Sequence, residues 1–487
     1  MSRHYFYAVL MSIALPTSGF ALPESNQIEF SNCMLALPGT SRTANARCGS
    51  FEVAENPDEP AGKRITLKVA IAPATGKTTE PDPVFFFAGG PGQAASETWV
   101  MIQSTLNKIR KNRDIVMIDQ RGTGGSNKLE CVSELEEDLN QEIDLELIRT
   151  ETEKCLEALD GDPRFYTTSI AMGDYNLVRQ AMGYDKINIM GVSYGSRSAQ
   201  VYLRQFPETV RSVTLDSVVP MQLALGQEHA LMLDRSVQNV IEDCAGDETC
   251  NSLYPHQAEE LNALFTRLRD EPQHITIINP VSGEPQEILV TADTLGVSIR
   301  FLSYASETQA MIPLLVHEAL TTGDLTRLAT QALLVMTGLN EMLSKGMELS
   351  VMCSEDYPFM DFSADYSHTL MGNLLLEIVG LQCSIWPRGE VAEDFHQPVV
   401  SDIPVLLMSG ERDPVTPPSY AAQVAETFSN NLNLVARGQS HSVMKNVCLR
   451  DITTEFIEKG SVEDLDISCV ENILPAPFFT SLLGPEP

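Results

Sequence analysis

The stretch Ile187-Asn-Ile-Met-Gly-Val-Ser-Tyr-Gly-Ser196, INIMGVSYGS, decides how this chain is read. An apolar run with strand character leads into it, and one serine sits between two glycines at its end. From Ser196 to residue 206 the spacing of apolar residues turns helical. A strand that bends sharply into a helix needs small residues beside the bend, and Gly191, Gly195 and Ser196 supply them. Such a turn lifts the Ser193 hydroxyl above a sheet, at the N-terminal end of a helix. By itself G-x-S-x-G arises by chance in a chain of 487 residues. The surrounding segments therefore have to decide.

Outward from this turn, strand and helix signals alternate. ITLKVAI at 65–71 alternates apolar and polar residues. VFFF at 84–87 runs into the tight loop AGGPG at 88–92, DIVMID at 114–119 precedes QRGTGGS, and SVTLD ends at Asp216. Helical spacing occupies 97–110, 170–182 and 196–206, while 22–60 reads as an extended lead-in. This alternation predicts an α/β fold with a mostly parallel central sheet covered on both faces. From 218 to 398 the pattern becomes helical, with short strand-like runs only at 275–278 and 288–290. Strand signals return at 403–409 and 432–436. The expected organisation is a leader at 1–21, a first core part at 22–217, a helical lid at 218–398 and a second core part at 399–487.

The leader reading rests on Arg3 and His4, an apolar run over 5–15, and small residues ending at Ala21. That layout predicts an export signal cleaved after Ala21, and the run is too short to span a bilayer comfortably. Ten cysteines, none in C-x-x-C spacing, fit disulfides in an oxidising compartment, periplasm or medium. Sequential pairing is expected: 33–48, 131–155, 244–250, 353–383 and 448–469. The formal charge of −33 becomes −34 without the leader, 32 basic residues against 66 acidic ones. A field of that sign repels phosphate backbones, which argues against nucleic acid as a partner. No membrane insertion is expected once the leader is removed.

Serine is a weak nucleophile and needs a base that is itself oriented by an acid. For a serine on a strand-to-helix turn the chain order is Ser, acid, His. His441, the last of eight histidines, lies in GQSHS after the final strand signal. Asp413, in SGERDPVTPP, follows the strand before it. Asp216 also ends a strand and is a rival acid, but Asp413 directly precedes the histidine loop. The Tyr194 N–H and the Gly90 N–H are the expected oxyanion donors, because Pro91 has no N–H; Gly89 is next. This chemistry requires neither a metal nor an organic cofactor.

The motifs GGPG at 89–92, DQRGTGGS at 119–126, GVSYGS at 191–196, SGERDPVTPP at 409–418 and GQSHS at 438–442 carry a resemblance. The chain resembles the α/β-hydrolase serine peptidases of the proline iminopeptidase and tripeptidyl aminopeptidase type, especially secreted members with a tripeptidyl-aminopeptidase-like C-terminal domain. It departs from many of them at Ala88, where they have histidine. The resemblance implies the α/β-hydrolase fold and release of short N-terminal pieces from peptides. It also implies lid carboxylates that hold the substrate amine, and VMCSED at 351–356 offers Glu355, with Asp356 second. A small-ester substrate would use the same triad and is the alternative. A catalytically inactive hydrolase fold acting as a binding protein is a further alternative. Haloalkane- and epoxide-type hydrolysis is disfavoured, since those enzymes carry a carboxylate where Ser193 stands.

Overall fold

The computed structural model describes residues 28–131, 144–280 and 282–485. The expected leader at 1–21 lies outside them. Nine strands form one sheet in the order β1-β2-β3-β5-β4-β6-β7-β10-β11. They are β1 Ser31–Ala36, β2 Thr43–Ala54, β3 Arg64–Ala72, β4 Val84–Phe87, β5 Ile115–Ile118, β6 Ile187–Val192, β7 Val210–Asp216, β10 Val405–Gly410 and β11 Asn431–Ala436. Pairings from β5 through β4, β6, β7 and β10 to β11 are parallel, and those joining β1, β2, β3 and β5 are antiparallel. The mostly parallel sheet is therefore present, with an antiparallel edge.

Two features differ from the sequence expectation. The lead-in is two paired strands, β1 and β2, stapled by Cys33–Cys48. Their alternation is half-buried and carries many polar residues, so periodicity alone did not announce them. The helix expected at 97–110 stops early, at Ala95–Ile102.

Alternate side chains of the parallel strands go to opposite faces. Phe85, Phe87, Val116, Ile118 and Ile189 pack with helices Thr168–Ala181 and Tyr194–Gln205. Val84, Phe86, Ile115, Met117 and Met190 pack with helices Ala95–Ile102 and Val447–Lys459 on the other face. Burial of both faces explains the near-continuous apolar runs in these strands.

β7 and β10 are neighbours in the sheet, and the helical region lies between them in sequence. Helices His229–Gly246, Gln257–Asp270, Ala292–Leu302, Ile312–Thr322 and Leu374–Ile385 share a second apolar core, joined by the hairpin of β8 Gln273–Ile278 and β9 Pro285–Val290. The helix Leu145–Ala158 joins this second core through Cys155, although its sequence position falls in the first core part. Met347, Val351 and Phe395, from within 218–398, pack in the core beneath the sheet. The helical region and the sheet therefore interdigitate. The ten cysteines pair sequentially, as expected. No helix of the described residues is long and apolar enough to cross a membrane.

Candidate active site

Ser193 stands between β6 and the helix Tyr194–Gln205 with φ +56° and ψ −125°. A non-glycine residue in that region costs about 1–3 kcal/mol and persists only where its surroundings enforce it. Here they do. The Ser193 N–H donates to Asp216 O at 2.9 Å, and Ser193 O accepts from Ser196 N at 2.8 Å and Ser196 Oγ at 2.6 Å. The flanking glycines are steric necessities. A Cβ on Gly191 would lie 2.3 Å from Gly195 O, and one on Gly195 would lie 2.2 Å from Phe87 O.

The preceding loop approaches this turn closely. A Cβ on Gly89 would lie 3.3 Å from Ser193 Cβ, whereas one on Gly90 would meet the backbone of Gly92 and Gln93. The structure thus sets Gly89 against the serine, the position given second place in the sequence. Tyr194 opens the helix, so its N–H belongs to the first turn, whose N–H groups lack intrahelical acceptors. The partial positive charge of that helix end faces the same space.

His441 and Asp413 form a direct pair: the Nδ1–H donates to Asp413 Oδ2 at 2.8 Å. Asp413 also accepts from Val415 N, Thr416 N, Thr416 Oγ1 and Ser217 Oγ at 2.7–3.0 Å. Burial disfavours its charge, but His441 and these donors outweigh it and hold the carboxyl below its usual range. Burial likewise opposes charging of His441, yet the Asp413 charge and hydrogen bond leave its pKa raised. The remaining imidazole nitrogen, Nε2, is left for a proton partner.

Asp216, the rival acid, has a different place. Its carboxylate accepts from Val443 N and Met444 N at 3.0 Å and from Ser442 Oγ at 3.3 Å. Its carbonyl meanwhile takes the Ser193 N–H. One residue at the end of β7 therefore ties the serine turn to the histidine loop. Its position at a strand end was visible in the sequence, but a strut role needs both loops in view.

The DQRGTGGS loop is a scaffold for the same region. Asp119 accepts from Ser96 N, Ser96 Oγ and Gly125 N at 2.8–3.0 Å. Arg121 is buried against Asp174 at 2.7 Å and three carbonyls. Gln120 Nε2 donates to Tyr194 Oη at 3.0 Å.

Glu355 and Asp356 are both fully buried. Asp356 pairs with Arg197 at 2.7 Å and accepts from Leu225 N at 2.8 Å, so its charge is answered inside the protein. Glu355 accepts from Thr168 N at 2.5 Å and Thr168 Oγ1 at 2.8 Å, and that hydroxyl lies 2.6 Å from Tyr194 Oη. Burial, then the neighbouring Asp356 charge, push the Glu355 carboxyl up to about 8. The sequence marked these acids but not their partners, Thr168 and Arg197. Among the described residues no group of three or more His, Cys, Asp or Glu side chains is arranged to hold a metal ion.

Residues 82–288 match the model of the alpha/beta hydrolase fold, and residues 369–469 match that of the TAP-like protein family. Serine protease Hip1 of Mycobacterium tuberculosis is 22% identical, over 95% of this chain and 97% of the relative. Tripeptidyl aminopeptidase of Streptomyces coelicolor is 24% identical, over 88% of this chain and 84% of the relative. The solved structure of a proline iminopeptidase from Mycobacterium smegmatis aligns at a TM-score of 0.42 and 14% identity, covering 84% of this chain and 98% of that one.

Proposed function

Given that this chain is an alpha/beta hydrolase with a TAP-like C-terminal region, we propose that it is an exported serine peptidase acting near the free N-terminus of peptides. The observation that carries the reading is the enforced Ser193 turn, tied through Asp216 to the loop of a histidine paired with Asp413. Ser193 Oγ attacks the scissile carbonyl and passes its proton to His441 Nε2. The tetrahedral oxyanion sits against the Tyr194 N–H and the glycine loop, with Gly89 or Gly90 as second donor. Collapse of that intermediate moves the proton from His441 to the leaving amine and leaves an acyl-enzyme. Water, deprotonated by the same imidazole, then releases the acid and restores Ser193. Asp413 keeps the imidazole in the right tautomer and stabilises the imidazolium that forms in each half.

Export is supported by the five disulfides and by the leader pattern at 1–21. The exopeptidase mode draws on the relatives' names and on Glu355. Of the two lid acids, Asp356 already has Arg197, which leaves Glu355 as the carboxyl for a substrate ammonium. Its carboxyl is held up to about 8; as a substrate ammonium arrives, Glu355 gives its proton to solvent and the ammonium replaces the Thr168 contacts.

A fluorophosphonate probe tests the chemistry: it labels the protein and fails to label Ser193→Ala. A profile over aminoacyl, dipeptidyl and tripeptidyl amides, with free and acetylated N-termini, tests the mode. Preference for acetylated substrates, or for short-chain esters over every amide, would defeat the exopeptidase reading. Glu355→Gln is expected to raise KM for free-amine substrates about tenfold while acetylated ones change little, the size of one charged hydrogen bond. Equal effects on both would reduce Glu355 to a structural part.

A further inference from the structure

Arg300 is a lid cation beside the histidine with no carboxylate to answer it. It lies in the last turn of the helix Ala292–Leu302. Four residues on, the Tyr304 ring meets the His441 ring edge-on, with centroids 5.2 Å apart. Arg300 Nη2 donates to Tyr304 Oη at 3.2 Å and to His229 Nδ1 at 3.1 Å. Nη1 meets only Met371 Sδ, at 3.9 Å, and a thioether is a weak acceptor. Arg121, Arg197 and Arg412 each have an aspartate partner. Arg300 has none among the described residues, in a chain with 66 acidic side chains.

The neighbours do not supply the missing charge. A guanidinium can only donate, so His229 Nδ1 accepts and its ring is neutral. Burial, then the charge of Arg300, hold the His229 pKa well below its ordinary value. Tyr304 contributes a neutral hydroxyl. The result is a half-buried guanidinium whose Nη1 meets no oxygen acceptor among the described residues, within electrostatic reach of His441. Such a fork matches a carboxylate in geometry and charge.

Its side of the reaction follows from the proton path. His441 delivers its proton to the leaving nitrogen, so groups packed on His441 border the leaving piece. Resting on the peptidase reading above, we propose that Arg300, with the Tyr304 hydroxyl, binds a substrate carboxylate on the leaving-group side of the scissile bond. The carboxylate is either the free C-terminus of a short leaving piece or an acidic side chain within it. Where the carboxylate is the C-terminus, the site favours short peptides cut close to their C-terminal end.

The test uses substrates with one common free N-terminal acyl part and four leaving groups: glycine, glycinamide, aspartic acid α-amide with its side-chain carboxylate free, and 4-nitroaniline. For the wild type, kcat/KM for the glycine acid is expected to exceed that for the glycinamide by roughly tenfold, as for one charge-assisted hydrogen bond. If the free-side-chain aspartyl substrate shows the excess instead, the source is an acidic side chain. Arg300→Gln should bring the acid-to-amide ratio close to one, and Arg300→Lys should retain part of it. Each ratio is read within one preparation, so a variant that folds in low yield still reports it. Equal rates for the acid, amide and aspartyl substrates, or a ratio kept in Arg300→Gln, overturn the subsite while 4-nitroanilide hydrolysis leaves the peptidase reading standing. No hydrolysis of any of the four by wild type overturns the peptidase reading, and the subsite with it.

Discussion

Around Ser193 the deciding contacts come from Gly191, Gly195 and Ser196, all within three residues, and from backbone atoms of adjoining strands. Around His441 they come from much further along the chain. Asp216 and Ser217 hold the loop from below. Ser303 O and Ser306 Oγ of the lid take Ser440 Oγ and Ser440 N from above. The serine turn is thus set by local sterics and the histidine loop by tertiary contacts from distant parts of the chain. A lid that moved would carry the histidine loop's upper contacts with it, while the serine turn would stay.

The largest effect should come from the histidine side. Asp413→Asn is expected to lower kcat by about 10⁴-fold, because the imidazole loses its tautomer control. The same variant locates the base by pH. His441 is held above its ordinary 6.5, and the base works only when neutral, so wild-type kcat/KM should rise with pH through a limb above 6.5. Without the Asp413 charge that limb moves to lower pH, and a limb that stays in place would reject His441 as the base.

Gly195→Ala probes the serine side. Its Cβ meets Phe87 O at 2.2 Å, so the turn has to shift. A displacement near 1 Å costs about 10²-fold in rate, with wild-type KM for ligands bound only by the lid. Full activity would show that the elbow tolerates what the geometry forbids.

Asp216→Asn tests the link between the two sides. The backbone acceptor for Ser193 remains, but the carboxylate under Val443 and Met444 is weakened. A fall of about tenfold in kcat is expected, with fluorophosphonate labelling slowed to a similar degree. A 10⁴-fold loss would instead make Asp216 the acid of the triad.

The smallest change is Ser440→Ala, which removes one hydrogen bond to the lid, worth about 1 kcal/mol or fivefold in kcat/KM. An effect as large as that of Gly195→Ala would mean that the lid contact, and not Asp216, positions the histidine.

The sequence was most legible where structure is local. The parallel strands announced themselves by short apolar runs, since burial on both faces demands them. The serine turn was readable because a sterically tight bend admits few residue types, and each of them is next to Ser193. The paired edge β1–β2 and the helix Leu145–Ala158 were not readable, because a half-buried strand and a mixed helix acquire meaning only from what they pack on.

By itself, then, the sequence determined the strand–helix alternation and offered the residues proposed as nucleophile, acid and base, while its expected cysteine pairing was decided by the structure. Only the tertiary structure decided that Asp413 faces His441 while Asp216 braces two loops, that Asp356 is spoken for by Arg197, and that Arg300 reaches the histidine unanswered. The physical reason is range. Backbone sterics and burial patterns are written within a few residues, whereas the partner of a charge is chosen by the fold, from anywhere along the chain.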